Sequence, residues 1–177
     1  MAVKQAVLAG GCFWCLEAAF RDIRGVLKVT SGYTGGTMLD PDYDSVCSGS
    51  SGHAEAVAID FDAEILSFRD LLTVYFGIHN PTTLNHQGHD VGTQYRSAIF
   101  FLNEEQQKIA QTVIAELETE HVFDSPIVTE LLPLETFYPA ESYHQRYYEK
   151  NPEQAYCSVV ISPKLALLRK RFAHLLK

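Results

Sequence analysis

QAVLAGGCFWCLEAAFRDIRG, residues 5–25, is the stretch from which the architecture is read. Gln5–Ala9 is an apolar run of strand length, and Gly10-Gly11 marks a point where the backbone must bend tightly. Beyond it Phe13, Leu16, Phe20 and Ile23 recur at helical spacing, with Gly25 as the stop signal. A strand that turns through two glycines into an amphipathic helix has to bury that helix against a sheet.

Outward from this unit, Val26–Ser31 reads as a second strand and Ala54–Phe61 as a third, with clean alternation. Ser67 caps a helix over Phe68–Ile78, and Ser97–Leu102 reads as a strand. Asn103 opens a further helix, with Gln106 in the capping-box position and Ile109, Val113 and Leu117 on one face. Pro126–Leu132 and Tyr156–Ser162 read as strands, and Pro163 starts a terminal helix from Leu165 to Leu176. This order predicts an α/β (α+β) two-layer sandwich with a ferredoxin-like core. A mixed sheet is flanked by helices, with long irregular C-terminal and active-site loops. A chain of 177 residues without repeat, linker or low-complexity segment is expected to form one domain over residues 1–177.

Two stretches, Gly32–His53 and Asn80–Arg96, resist assignment. Loops of that length inside a compact domain usually serve function. Of the 11 glycines, five fall in the first stretch, two in the second and two directly before Cys12. They mark three places where backbone bends or approaches something closely.

Charge excludes more than it identifies. With 14 Lys+Arg against 22 Asp+Glu the net charge is −8, which argues against binding a phosphate backbone. No stretch approaches the roughly 20 apolar residues of a membrane span, and the N-terminus carries no export signal, so a cytoplasmic protein is expected. The basic run LLRKRFAHLLK, residues 167–177, reads as a solvated helix face. Four cysteines in such a chain are thiols before they are a disulfide scaffold.

Cys12 follows the two glycines at the strand–helix junction. A thiol in a first helical turn sees unpaired amides and the positive end of the helix dipole, which lower its pKa; the alternative is a small buried core residue. Phe13 fits the apolar face of the helix, while Trp14, the only tryptophan, does not and is suited to wall an apolar pocket. Cys15 completes a CxxC, which fits a redox dithiol or half a zinc site. No second CxxC completes four zinc ligands, and Cys47 and Cys157 stand alone.

Within the third strand Glu55, Val57, Ile59 and Phe61 share one face, so Glu55 is a lone carboxyl at the end of an apolar row. Desolvation there would keep it protonated near neutrality, as a general acid requires. The competing reading is a strand-edge carboxylate that turns to solvent or pairs with a cation such as Arg96. Asp90, Thr93, Gln94 and Tyr95 offer polar groups at a strand mouth, and Tyr33 and Tyr43 lie in the other long loop. Tyrosine hydroxyls can donate to a developing oxyanion without ionising. ESYHQRYY, residues 141–148, reads as an aromatic-rich surface near a turn, with no catalytic role of its own.

Six motifs in order, GCFW at 11–14, GYTGG at 32–36, YDSVCSG at 43–49, GHAE at 52–55, GTQYRS at 92–97 and FYPAESYHQRY at 137–147, resemble the peptide methionine sulfoxide reductases of type A. The resemblance runs from Leu8 to about Phe172. It implies thiol-dependent reduction of the S epimer of methionine sulfoxide, free or in proteins, as repair under oxidative stress. Thioredoxin is the expected external reductant, with no metal or organic cofactor, no nucleic-acid or membrane partner, and action as a monomer.

Carried over by position, Cys12 is the nucleophile and Glu55 the acid. Tyr43, Asp90 and Tyr95 line the oxygen site, and Phe13 and Trp14 hold the S-methyl group. The resolving thiol is either Cys15 or Cys157, and Cys47 is read as structural. Asn80 and His86 depart from the family's usual aspartate and arginine beside the Asp90 loop. The alternatives in other classes are a non-catalytic thiol or zinc-binding module and a general dithiol oxidoreductase.

Overall fold

The computed structural model describes all of residues 1–177. Strand β1 (Val3–Ala9) runs into helix α1 (Phe13–Arg21), and β2 (Val26–Thr34) follows. A short helix α2 (Tyr43–Cys47) interrupts the first long loop before β3 (Ala54–Asp62) and α3 (Phe68–Ile78). The second long loop holds a two-stranded ribbon, β4 (His86–Gln87) and β5 (Asp90–Val91), and a 3₁₀ turn over Thr93–Tyr95. Then come β6 (Ala98–Phe101), α4 (Glu104–Thr119), β7 (Glu130–Pro133), β8 (Tyr138–Pro139), α5 (Tyr147–Lys150) and α6 (Ser162–Arg171).

The six-stranded sheet has the order β7-β6-β1-β3-β2-β8. Only β6 and β7 are parallel; the other neighbours are antiparallel. The central order β6-β1-β3-β2, with α1 and α3 as crossovers, is the ferredoxin-like core expected from the sequence. Caps form where the side chains predict them. Ser67 accepts from Asp70 N–H at 3.0 Å, and Asn103 accepts from Gln106 N–H at 2.9 Å.

The alternation in β3 divides the sheet into two unlike faces. Val57, Ile59 and Phe61 join Leu8, Phe13, Phe20, Leu72 and Leu168 in the large core under the helices. Ala54, Ala56 and Ala58 face the other way with Ala9, Ala98 and Phe100, beneath Leu132, Leu134 and Phe137. Small side chains there let an irregular strap, residues 134–137, lie directly on the sheet. Gly32 completes the fit, since a Cβ on it would meet Phe137 Cζ at 2.3 Å.

Three expectations change at the C-terminal end. Tyr156–Ser162 is not a strand: Cys157–Ile161 forms a π-helical turn that runs straight into α6. Cys157, Ile161, Leu165 and Leu168 are buried at helical spacing, and that period overrides the β-branched pair Val159-Val160. Helix α6 stops at Arg171 rather than Leu176; a 3₁₀ turn and an isolated bridge between Ile23 and Leu176 finish the chain. Pro126–Leu132 shortens to β7, because only from Glu130 onward does the segment lie beside β6.

Candidate active site

The C-terminal end of β1 is anchored before the site begins. Tyr75 on α3 donates its hydroxyl to Ala9 O at 2.6 Å and lies 2.9 Å from Ser97 Oγ, which is 2.8 Å from His79 Nε2. Burial pushes His79 down to about 4, so the imidazole stays neutral within this network. Gly11, with φ +92°, carries the turn from β1 into α1. Gln87 Cγ lies 2.8 Å from where a Cβ would sit, so glycine is required by conformation and space together.

Cys12 is the N-cap residue of α1, extended at φ −63° and ψ 129°, and only 8% exposed. Its thiol and that of Cys15, one turn along the helix, each shift the other's ionisation. The expected lowering of Cys12 does not occur: burial, the neighbouring Cys15 thiol and the nearby Glu55 charge hold its thiol well above the ordinary range. Desolvation of the anion outweighs the helix terminus here. Cys15 moves the other way, held down chiefly by the neighbouring Cys12 thiol.

Glu55 is 1% exposed, beside Tyr33 in the β2–β3 register. Phe13 N–H, the amide following Cys12, donates to Glu55 Oε1 at 3.1 Å. Burial pushes the carboxyl up to about 8, against the lowering effect of that amide. The alternative partner is otherwise engaged, since Arg96 pairs with Glu130 at 2.8 Å. A neutral carboxylic acid therefore sits beside Cys12 at the start of α1 at pH 7.

Around this pair stand tyrosines from both long loops. Tyr43 opens α2, and Gln94 Nε2 in the 3₁₀ turn donates to Cys47 O at the end of that helix at 3.2 Å. Tyr95 ends the 3₁₀ turn, half-buried. Both hydroxyls are raised above their ordinary range, chiefly by burial with the Glu55 charge adding to it, so both stay protonated donors. Arg96 ties their loops together, donating to Thr93 O at 2.9 Å and to Gly52 O at 3.1 Å. Asp90 on β5 accepts from Tyr156 O–H at 2.5 Å. The unusual Asn80 caps this loop, accepting from Thr82 N–H at 3.0 Å and bonding Gln87 through its backbone. His86 pairs with Val91 in the adjoining ribbon.

Phe13 is fully buried, its ring 5.6 Å from that of Tyr33. Trp14 stacks on Tyr147 at 3.7 Å and 7°, and its Nε1–H donates to His144 Nδ1 at 3.1 Å. These contacts correct the surface reading of residues 141–148. Glu141 accepts from Tyr33 O–H at 2.8 Å and from Tyr43 N–H at 2.9 Å, while His144 is buried against Phe13 and Tyr43 at 5.1 and 4.5 Å between ring centroids. The signal in sequence was its density of polar aromatics, which periodicity cannot place because the segment is irregular.

Tyr156 is a further site residue that the sequence reading missed. Its hydroxyl lies 4.0 Å from Cys15 Sγ, and its ring meets Trp14 edge-on at 5.8 Å. Cys157 beside it is fully buried in the π-helical turn. The structure thus gathers Cys12, Cys15, Glu55, Tyr43, Tyr95, Phe13 and Trp14 around the start of α1, and Asp90 joins through Tyr156. No cluster of three or more histidine, cysteine or acidic side chains is arranged to hold a metal ion, and no helix is long and apolar enough to cross a membrane.

The family described as peptide methionine sulfoxide reductase matches residues 4–176. A relative from Chromobacterium violaceum named peptide methionine sulfoxide reductase MsrA is 57% identical over 175 residues, covering 99% of each chain. Among solved structures, the reduced form of Mxr1 from Saccharomyces cerevisiae superposes with a TM-score of 0.82 at 34% identity, over 88% of this chain and 90% of that one. The same yeast protein solved in complex with Trx2 gives a TM-score of 0.58 at 22% identity, over 82% and 85% of the two chains.

Proposed function

This chain belongs to the MsrA family of peptide methionine sulfoxide reductases, and we propose that it reduces the S epimer of methionine sulfoxide, free and protein-bound, with Cys12 as nucleophile and Glu55 as general acid. As a family member it is an oxidoreductase acting on methionine sulfoxide by thiol chemistry. The observation that carries the assignment is the buried Glu55 carboxyl, protonated at neutral pH and bonded to the amide next to Cys12. A sulfoxide sulfur is a poor electrophile until its oxygen takes a proton, and this site supplies one without solvent.

The Cys12 sulfur donates an electron pair to the sulfoxide sulfur as Glu55 protonates the oxygen. Tyr43 and Tyr95 donate hydrogen bonds to that oxygen as charge develops, and Asp90 orders the same side of the site. Phe13 and Trp14 hold the methyl group, which fixes the epimer that presents oxygen to Glu55. The Cys12 thiol proton replaces the one Glu55 gives up, so the carboxyl returns to its acid form. Two electrons move from Cys12 to the substrate, the oxygen moves to Cys12, and methionine leaves behind a sulfenic acid.

Cys15 is the thiol that resolves it. Its sulfur attacks the Cys12 sulfur, a disulfide forms and water departs. Two features support Cys15: residues three apart at a helix start suit disulfide geometry, and Cys157 is locked in a buried helical turn. An external dithiol then reduces the disulfide. Thioredoxin in the cytoplasm is the proposed source, in keeping with the yeast homologue's complex with Trx2.

The test is mass mapping after one turnover on methionine-S-sulfoxide without reductant. A Cys12–Cys15 disulfide and one methionine per chain are expected, with the R epimer untouched. Residual turnover by Cys12→Ser with dithiothreitol would overturn the assignment, and a Cys12–Cys157 link would overturn the resolving role of Cys15.

A further inference from the structure

Helix α1 presents a second stripe beside its core-facing one. Trp14, Glu17 and Arg21 lie at helical spacing, and all three grip residues 144–149. Trp14 holds His144 and Tyr147 as described, and Arg21 Nη1 pairs with Glu149 at 2.8 Å at the exposed end. Between them Glu17, only 2% exposed, receives Arg146 N–H at 2.6 Å on one carboxylate oxygen and 2.7 Å on the other.

Arg146 is in the left-handed region, φ 57° and ψ 36°, which a residue with a side chain seldom adopts. That one inverted residue turns the chain between His144 and Tyr147, so that both flanking rings reach the same indole. On its own such a carboxylate would be a burden on the core; its use is the amide it holds.

We propose that Glu17 is the positioning residue of the substrate's methyl-binding wall, clamping the left-handed Arg146 so that His144 and Tyr147 hold Trp14 in place. Gln145 pins the same segment from the other side, its carboxamide bridging Ser31 N–H at 2.9 Å and Ser31 O at 2.8 Å. The segment is thus fixed to β2 and to α1, and Glu17 supplies the hold nearest Trp14. This rests on the reading that Trp14 contacts substrate.

Trp14 is the only tryptophan, so its emission reports the clamp without reference to activity. Glu17→Ala is expected to red-shift that emission, raise its quenching by iodide, and raise KM for a sulfoxide-containing peptide on the order of tenfold, with a smaller fall in single-turnover rate at saturation. Glu17→Gln keeps one acceptor for the Arg146 amide and should retain most of both properties. Glycine takes the left-handed conformation freely, so Arg146→Gly in the Glu17→Ala background should restore emission and KM toward wild type.

Unchanged emission and KM in Glu17→Ala overturn the proposal, as does a double variant no better than Glu17→Ala. Should Glu17→Ala not fold, failure of Arg146→Gly to restore folding in the alanine chain overturns it equally. Trp14→Phe separates the two claims. If it leaves KM unchanged, the methyl-wall reading fails, while the fluorescence still decides whether Glu17 is the clamp.

Discussion

Cys12 and Glu55 are both held toward their protonated forms, and the proposed reaction uses the Glu55 proton. To serve as the proposed acid Glu55 must be protonated, and with its carboxyl pushed up to about 8 it is protonated through the neutral range. The rate of sulfenic acid formation is therefore expected to fall as pH rises through about 8. Glu55→Gln keeps an acceptor for Phe13 N–H but has no proton to give. Its single-turnover rate should drop by roughly 10²- to 10⁴-fold and lose that alkaline fall. Stopped-flow single turnovers across the pH range check this; a glutamine variant with an unchanged rate would remove Glu55 from the acid role. Pattern alone exposed this residue, because a strand's period of two turns one charged side chain in an apolar row into an anomaly. Cys12 shows where such reading fails. A helix start is visible in sequence, but the desolvation that outweighs it depends on which segments cover the site.

The elements divide along the same line. Strand β3, helix α3 and helix α4 were legible almost to the residue, because alternation and capping side chains are local signals. The segment 134–161 was not: its order comes from contacts over more than a hundred positions, such as Trp14 with His144 and Glu17 with Arg146. Tyr156–Ser162 reads as a strand because its β-branched run outweighs a helical burial period that only the fold reveals. Tyr156 is the latch of this segment, since its hydroxyl reaches across to Asp90 and lies against Cys15. Hydrogen bonds to charged groups contribute about 1.5–3 kcal/mol, so Tyr156→Phe should raise local opening roughly tenfold or more. Cys157, fully buried behind the latch, reports that opening through its alkylation rate, followed by mass spectrometry under native conditions. Equal rates in the two proteins would mean that the segment is held by its apolar packing alone.

At the scale of the whole molecule, an acidic chain of net charge −8 nevertheless keeps Glu55 and Glu17 inside. Burial raises both carboxyls, so each binds a proton in the folded state over a range where the unfolded chain has released it. Stability must then decline with rising pH, because the folded state holds more protons than the unfolded one. For Glu55 this stability is fully present below the ordinary value of 4.5 and lost as pH rises toward about 8, above which both states are ionised. Glutamine cannot ionise, so the stability of Glu55→Gln relative to wild type should climb between those limits and level off beyond them. A shift of this size corresponds to about 5 kcal/mol, which for a chain of this length is roughly 10–20 °C in the unfolding midpoint. Thermal unfolding of both proteins in matched buffers from pH 4 to 9 measures the difference directly. A constant offset across the range would mean that the Glu55 carboxyl ionises alike in the folded and unfolded chain. The acid would then have no special claim to its proton, so this stability profile tests the catalytic assignment without any substrate present.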